Sequence, residues 1–225
     1  MKKTVKISLL LVLAISIFSC NKEEKEDTKG EDNLGHLKAT IYAPDARAYF
    51  FTDIKYYKYD VIGSTLEKTA NISSFGSQLP ENFDAAFLCD NDKQTYFFKD
   101  AYYYKYDFSE AKVIISGVTG EHGWKGVPAN IDAAVSHPNG YSYFFKGDKY
   151  YRYSHTSKKV DKVAPITNWK GLPASNLDAA LYSTDNGYLY FFKGNTFYKY
   201  DANTGVKNTG TIGVDDFDEL SFSNE

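Results

Sequence analysis

Short apolar bursts recur between polar turns along the chain, and the bursts are copies of one another. The tripeptide Tyr-Phe-Phe begins at Tyr49, Tyr96, Tyr143 and Tyr190, each 47 residues after the last. A second motif follows in step: YYKYD from Tyr56, YYKYD from Tyr103, YYRYS from Tyr150 and FYKYD from Phe197. A third precedes them: FDAAF from Phe83, IDAAV from Ile131 and LDAAL from Leu177, with a degenerate first copy, LKATI from Leu37. A fixed period of this length marks a repeat architecture, in which each unit buries its apolar face against the next. Four such units account for residues 37–225, with no space left for a separate catalytic domain.

Each unit reads as strands. Tyr-Phe-Phe-Lys, then Gly147-Asp148 or Gly194-Asn195, then a Tyr-rich run predicts a tight hairpin, because Gly allows the positive φ such turns need. Asp100-Ala101 and Asp53-Ile54 occupy the same turn in the other copies. Tyr143 and Phe145 point to one face of their strand and Phe144 to the other, so both faces must be covered. A four-stranded sheet flanked on each side by a neighbour is a propeller blade. The small residues of the Asp-Ala-Ala copies suit the innermost strand, where blades crowd the axis. Trp124-Lys-Gly126-Val-Pro128, Trp169-Lys-Gly171-Leu-Pro173 and a weaker Phe75-Gly76 with Pro80 read as inter-blade connectors. Their aromatics are expected to pack in the wedges, the alternative being a ligand platform.

The three motifs and the connector resemble the hemopexin-like repeat, four times in phase over residues 37 to about 201. The resemblance implies an all-β fold, a single four-bladed β-propeller around a narrow axial channel. It also implies a module without catalysis of its own: in other members it accompanies metalloproteinase catalytic domains, is doubled in the serum haem carrier, or stands alone in seed albumins. The family's ion site, commonly calcium or sodium, uses inner-strand carbonyls of the Asp and second Ala. Carried over, these are Asp84 and Ala86, Asp132 and Ala134, Asp178 and Ala180. A ring of hard oxygens suits a hard cation. The first copy departs, with Lys38 for the Asp and Thr40 for the Ala, and an ammonium aimed at the axis would repel a cation or stand in for one. The family disulfide from first blade to last has no counterpart. Residues 217–222, FDELSF, look like a partial fifth copy that closes the ring by strand pairing. Haem capture in the serum carrier needs two propellers, so haem is not expected here; His122 and His155 are the candidate ligands for it.

The ends divide the chain further. Lys2, Lys3 and Lys6 precede an apolar run from Leu9 to Phe18 that ends at Cys20. This resembles a bacterial lipobox, in which Cys20 is diacylated and becomes the mature N-terminus; an ordinary signal peptide or an uncleaved anchor are the alternatives. The expected division is signal peptide 1–19, lipidated Cys and acidic tether 20–36, and propeller 37–225, with blades at about 37–83, 84–130, 131–176 and 177–225. Residues 21–33 carry six acids against three bases and no apolar side chain, a solvated spacer. Its Lys-Glu-Glu cluster resembles the signal for the outside of the outer membrane, with a periplasm-facing location as the alternative.

Composition narrows the function. With 26 basic and 29 acidic side chains the net charge is -3, and loss of residues 1–19 deepens it to -6. No cationic surplus serves nucleic acid. The 20 Tyr and 16 Phe against one Met favour strands. Cys89 is left without a disulfide partner and reads as a small buried hydrophobe. No two of His36, His122, His137 and His155 share a metal-ligand spacing, and all four read as surface-loop residues. No nucleophile elbow or phosphate loop is present; Asp215 and Asp216 read as a turn. Lys58, Lys105, Arg152 and Lys199 repeat on every blade, either as an anion-recognising rim or, as expected, as stems covering aromatic faces. Lys99, Lys146 and Lys193 are read the same way. The expected function is a lipid-anchored binding module for a protein or an extracellular polymer such as glycan. Membrane contact would be through the anchor only. The alternative is capture of a small ligand: haem, a polyamine or a metal complex.

Overall fold

The computed structural model describes residues 35–121, 123–220 and 222. Cys20, the acidic tether and His122 lie outside the described residues. Four antiparallel sheets follow one another along the chain. Blade 1 is β1 (Ala39–Tyr42), β2 (Ala48–Phe51), β3 (Lys55–Asp60) and β4 (Thr65–Asn71). Blade 2 is β5 (Ala85–Cys89), β6 (Gln94–Lys99), β7 (Tyr102–Asp107) and β8 (Lys112–Gly120), with a fifth strand, β9 (Gly123–Lys125). Blade 3 is β10 (Ala133–His137), β11 (Tyr141–Lys146), β12 (Lys149–Ser154) and β13 (Lys159–Pro165). Blade 4 is β14 (Ala179–Tyr182), β15 (Leu189–Lys193), β16 (Thr196–Asp201) and β17 (Gly205–Thr211). The first strands β1, β5, β10 and β14 touch one another in a closed ring, so the sheets radiate from a shared axis. The result is an all-β, four-bladed β-propeller.

Register repeats as faithfully as sequence. Ala39, Ala85, Ala133 and Ala179 stand opposite Phe51, Phe98, Phe145 and Phe192. The pairing of third and fourth strands slips in every blade just after the basic residue, at Lys58/Tyr59, Lys105/Tyr106, Arg152/Tyr153 and Lys199/Tyr200. A bulge at this place tightens the twist of the outer blade. The added strand β9 runs parallel to β8. It fits because Gly117 and Gly123 flank the Tyr103 ring: a Cβ would stand 2.8 Å from the ring at the first and 2.4 Å at the second.

Four apolar cores fill the four wedges. The central aromatic strand serves two of them: Phe144 belongs to the core between blades 2 and 3, Phe145 to that between blades 3 and 4. At the centre of each wedge sits one connector aromatic. Trp124 lies 4.9 Å from Tyr96 and 4.8 Å from Tyr153, and Trp169 lies 4.9 Å from Tyr143 and 5.4 Å from Phe191 (ring centroids). Phe75 does the same between blades 1 and 2. Both tryptophans are thus wedge residues, not a platform.

The last wedge corrects one expectation. The tail does not pair as a strand: among the described residues it forms only an isolated bridge between Ile212 and Asp216. Instead Phe217, Leu220 and Phe222 are buried between blades 4 and 1. Phe217 takes the connector aromatic's place, 5.4 Å from Phe50 and 5.6 Å from Phe192. Leu220 N–H donates to Phe217 C=O at 3.1 Å, as Leu172 does to Trp169 at 3.0 Å and Val127 to Trp124 at 2.9 Å. Phe217-x-x-Leu220 is therefore a fourth connector rather than a fifth Asp-Ala-Ala copy. The inner position is already filled by β1, and residues as large as Glu219 and Leu220 would not fit where the Ala pairs crowd the axis. Burying three large apolar side chains contributes roughly 1.5–3 kcal/mol each. The Tyr42 hydroxyl adds a hydrogen bond to Asp185 across the same seam. The described residues of all four cores lie between 37 and 222, within one compact unit.

Phe217 is wholly buried, so Phe217→Ala is expected to cost about 3–5 kcal/mol in chemical denaturation. Loss below about 1 kcal/mol would mean that the seam holds without it.

Candidate functional site

The innermost strands begin at one mouth of the axis, and four equivalent residues mark the start. Lys38, Asp84, Asp132 and Asp178 each donate a backbone N–H to Phe51, Phe98, Phe145 and Phe192, every one at 2.8 Å. Lys38 is thus the structural counterpart of the three aspartates. Thr40 likewise stands opposite Phe50 as Ala86, Ala134 and Ala180 stand opposite Phe97, Phe144 and Phe191. Lys38 and the three aspartates line one cavity of about 560 Å³, together with His36 and Asn176. Ala86, Ala134 and Ala180 are buried in the adjoining wedges. A smaller void of about 50 Å³, lined by Thr40, Tyr42, Leu88, Ser136 and Tyr182 among others, lies further along the inner strands.

The aspartate side chains have a structural task that sequence reading did not assign. Asp84 Oδ2 accepts the N–H of Asp100 at 2.6 Å, Asp132 Oδ2 that of Gly147 at 2.6 Å, and Asp178 Oδ2 that of Gly194 at 2.5 Å. Each donor sits in the hairpin turn of the same blade with positive φ: 54° at Asp100, 58° at Gly147 and 54° at Gly194. The lysine next to each turn reaches a connector carbonyl. Lys99 donates to Glu81 at 2.8 Å, Lys146 to Ala129 at 2.6 Å and Lys193 to Ser175 at 2.7 Å. These lysines are clamps, which corrects their reading as mere cover for aromatic faces. In blade 1 both partners change together: Lys38 cannot accept a hydrogen bond, Thr52 replaces the lysine, and the turn closes through Thr52 N–H to Lys55 C=O at 2.9 Å.

Burial lifts the Asp84 carboxyl above its ordinary pKa; the charges of Asp100 and Asp132 add to this, while the Asp100 N–H and Lys99 oppose it. Burial raises Asp132 too, against the Gly147 N–H and Lys146. The cavity wall thus holds two half-buried carboxyls whose charged form burial disfavours, with Lys38 in the same wall. Among the described residues no group of three or more His, Cys, Asp or Glu side chains is placed to hold a metal ion. A hard cation would therefore have to rely on backbone carbonyls, and Lys38 breaks the four-fold acid ring around them.

Elsewhere the repeated charges are occupied. Lys58 pairs with Asp45 at 3.0 Å, Lys105 with Asp92 at 3.2 Å, and Arg152 with Asp161 at 2.8 Å. Lys199 lies over the Tyr188 ring at 4.5 Å. An anion rim would need these cations free, so the covering role stands. A further four-fold set went unread: Asp45 and Asp92 accept the hydroxyls of Tyr49 and Tyr96, both at 2.7 Å, and Asn139 and Asn186 donate to Tyr143 and Tyr190 at 3.0 and 2.9 Å. Positions 45, 92, 139 and 186 also recur every 47 residues, a signal present in the sequence.

Two histidines differ from their expected surface-loop setting. His137 closes β10 against Tyr182, ring centroids 5.2 Å apart. His155 is half-buried beside Trp124 and Tyr153; its Nε2 lies 2.9 Å from Ser142 Oγ and 3.8 Å from Cys89 Sγ. An imidazole so engaged is no open haem ligand. Cys89 is buried, and burial pushes its thiol up to about 12, which leaves it an inert core group.

Two measurements follow from these sites. Burial holds His155 and His137 below the ordinary imidazole pKa, although nearby Asp92 and Asp90 pull His155 the other way. The unfolded chain therefore takes up protons first as pH falls through about 6.5, so stability declines from pH 7.5 to 5, by at most about 1.4 kcal/mol per pH unit per group. A His137→Gln/His155→Gln variant is expected to flatten that slope in denaturation curves; an unchanged slope would assign it to other groups. Separately, Lys38→Asp restores the acid ring. Thermal unfolding is expected to show a calcium-dependent rise larger than in the parent; equal shifts would show that Lys38 does not oppose a cation.

A profile of the Hemopexin family matches residues 83–113, 131–174 and 177–212. No curated protein matches in sequence. Similar solved structures include the hemopexin-fold protein CP4 from cow pea, 22% identical, covering 80% of this chain and 94% of that one, with a TM-score of 0.66. A plant albumin from Cicer arietinum showing hemagglutination is 18% identical over 80% of this chain and 94% of its own, TM-score 0.67. A plant lectin with two metal binding sites, also from Cicer arietinum, is 21% identical over 77% and 93%, TM-score 0.64. At these identities the likeness concerns the fold. Repeat register, radial architecture and profile agree: the chain belongs to the hemopexin family.

Proposed function

We propose that this protein is an exported, lipid-anchored binding module, without catalysis of its own, that presents its propeller to a protein or an extracellular polymer such as glycan. The observation that carries this reading is how the polar groups of the repeats are used. The repeated Asp, Lys and Tyr side chains are engaged in turns, connectors and strand clamps, so they support a scaffold rather than a reacting centre. The hemagglutinating albumin and the lectin among the similar folds are in keeping with recognition of cell-surface groups. Fold alone does not dictate function. Anchoring would be through Cys20, placing the propeller at the outer membrane, exposed or periplasm-facing.

A second reading has its own support. The axial cavity lined by Asp84, Asp132 and Asp178 favours a small cation, an amine or a calcium or sodium ion, held by the carbonyls of Asp84, Ala86, Asp132, Ala134, Asp178 and Ala180 against the Lys38 charge.

One experiment separates the two. Cells expressing the full chain are expected to bind immobilised glycans or a protein partner, and Cys20→Ser is expected to abolish that binding by removing the protein from the surface. Absence of binding, with the isolated protein stabilised by spermine or calcium in thermal shift, would favour small-ligand capture instead.

A further inference from the structure

One four-fold set is chemically mixed. Positions 45, 92, 139 and 186 hold a Tyr hydroxyl in every blade, with aspartate in blades 1 and 2 and asparagine in blades 3 and 4. The acids also pair with the repeated base, Asp45 with Lys58 at 3.0 Å and Asp92 with Lys105 at 3.2 Å. Asn139 and Asn186 are each followed by glycine, and the chain has no other Asn-Gly pair. In such a pair the glycine nitrogen reaches the side-chain amide most easily, because no β-carbon stands beside it.

The two pairs are matched in almost every respect. Both lie in exposed turns between the first and second strands of their blades. Gly140 has a φ of 86° and Gly187 of 74°, and a Cβ at either would meet nothing within 4 Å. Asn139 Oδ1 accepts the Tyr141 N–H at 3.2 Å, and Asn186 Oδ1 that of Tyr188 at 3.1 Å. Asn139 Nδ2 donates to the Tyr143 hydroxyl at 3.0 Å, and Asn186 Nδ2 to that of Tyr190 at 2.9 Å. They differ at the attacking nitrogen. Gly187 N–H donates to Ser183 C=O at 2.9 Å, as Lys93 N–H does to Cys89 C=O at 2.8 Å in blade 2. Gly140 N–H donates to no group among the described residues. The blade 3 loop, 138–140, is one residue shorter than the blade 2 loop, 90–93, and does not form that bond.

We propose that Asn139 is a self-modifying site: the folded chain converts it, ahead of Asn186, to an aspartate or isoaspartate, and blade 3 accommodates the aspartate as blade 1 accommodates Asp45. The Gly140 nitrogen gives its proton to water and attacks Asn139 Cγ. Charge that builds on Oδ1 meets the Tyr141 N–H. The Cγ–Nδ2 bond then breaks, and ammonia leaves with the proton that Gly140 lost, relayed by water. A cyclic succinimide remains, and water opens it at either carbonyl. The sum is asparagine plus water giving aspartate or isoaspartate plus ammonia, with no oxidant, reductant or cofactor. At Asn186 the same attack must first break the bond from Gly187 to Ser183. Blade 1 shows how the aspartate product fits. There Lys58 lies between Asp45 at 3.0 Å and Glu67 at 3.6 Å, and an aspartate at 139 places Arg152 between that acid and Asp161 in the same way. The surface of an acidic chain thereby gains one more negative charge.

The test is peptide mapping by mass spectrometry of the purified full chain, incubated at mildly alkaline pH both folded and in urea. In the folded protein Asn139 is expected to convert roughly two- to tenfold faster than Asn186, the range that one hydrogen bond on the attacking nitrogen supplies. In urea, where that bond is gone, the two rates are expected to converge. Equal rates in the folded protein, a faster Asn186, or an Asn139 that stays intact would each overturn the proposal. So would an ordering that persists in urea, which would assign the difference to neighbouring side chains instead of the hydrogen bond. Asn139→Asp supplies the aspartate product directly and is expected to melt no lower than the parent. A lower melting temperature would overturn the claim that blade 3 accommodates the acid.

Discussion

The structure depends on aromatic packing between sheets that diverge from one axis. Only small side chains fit where the first strands meet, and only large ones span the gap a few residues further out. Ala39, Ala85, Ala133 and Ala179 meet the first demand; Phe51, Phe98, Phe145 and Phe192, directly opposite them, meet the second. Each wedge is then locked by one more ring from the connector. Edge-to-face contacts dominate, as the quadrupoles of crowded rings favour; Phe51 meets Phe97 at 87° and Trp124 meets Tyr96 at 88°. Turn clamps, connector clamps and the axial cavity are all positioned by this packing.

Much of this was legible in the sequence because the constraint is the same in every blade. A 47-residue interval between aromatic triplets follows from four equivalent wedges, and the alternation of Tyr143, Phe144 and Phe145 gives the two-sided burial directly. What escaped were features set by which ends meet in space. FDELSF looks like FDAAF letter by letter, yet its Phe217 and Leu220 superpose in role on Trp169 and Leu172. Spacing could not decide between those registers; the absence of room at the axis did. Asp84, Asp132 and Asp178 enter the sequence reading through their backbone carbonyls alone, and the bonds of their carboxylates to hairpin N–H groups appear only once turn and inner strand are seen side by side.

Blade 1 shows how the clamps behave as a set. Where Lys38 stands for aspartate, the lysine beside the turn is lost as well, replaced by Thr52, and none of the positive-φ residues of the other three turns is needed. An Asp that holds a strained turn and a Lys that holds the connector are useful together, because both fix the same corner of the blade. The altered corner lies on the axial cavity, so a change that is local to one hairpin also resets the charge around the mouth of the propeller.

The seam between blades 4 and 1 has a temporal consequence. Since Phe217 is supplied by the far end of the polypeptide and packs on Phe50 near its beginning, the circle stays broken until synthesis has passed residue 217. Three wedges can mature while the fourth still gapes, showing a sticky apolar flank to chaperones and proteases alike. Among the described residues the one cysteine, Cys89, is free and buried away from this seam, so side-chain packing rather than a disulfide closes it there. A molecule cut short by ten residues would be nearly whole in length and wholly unsealed.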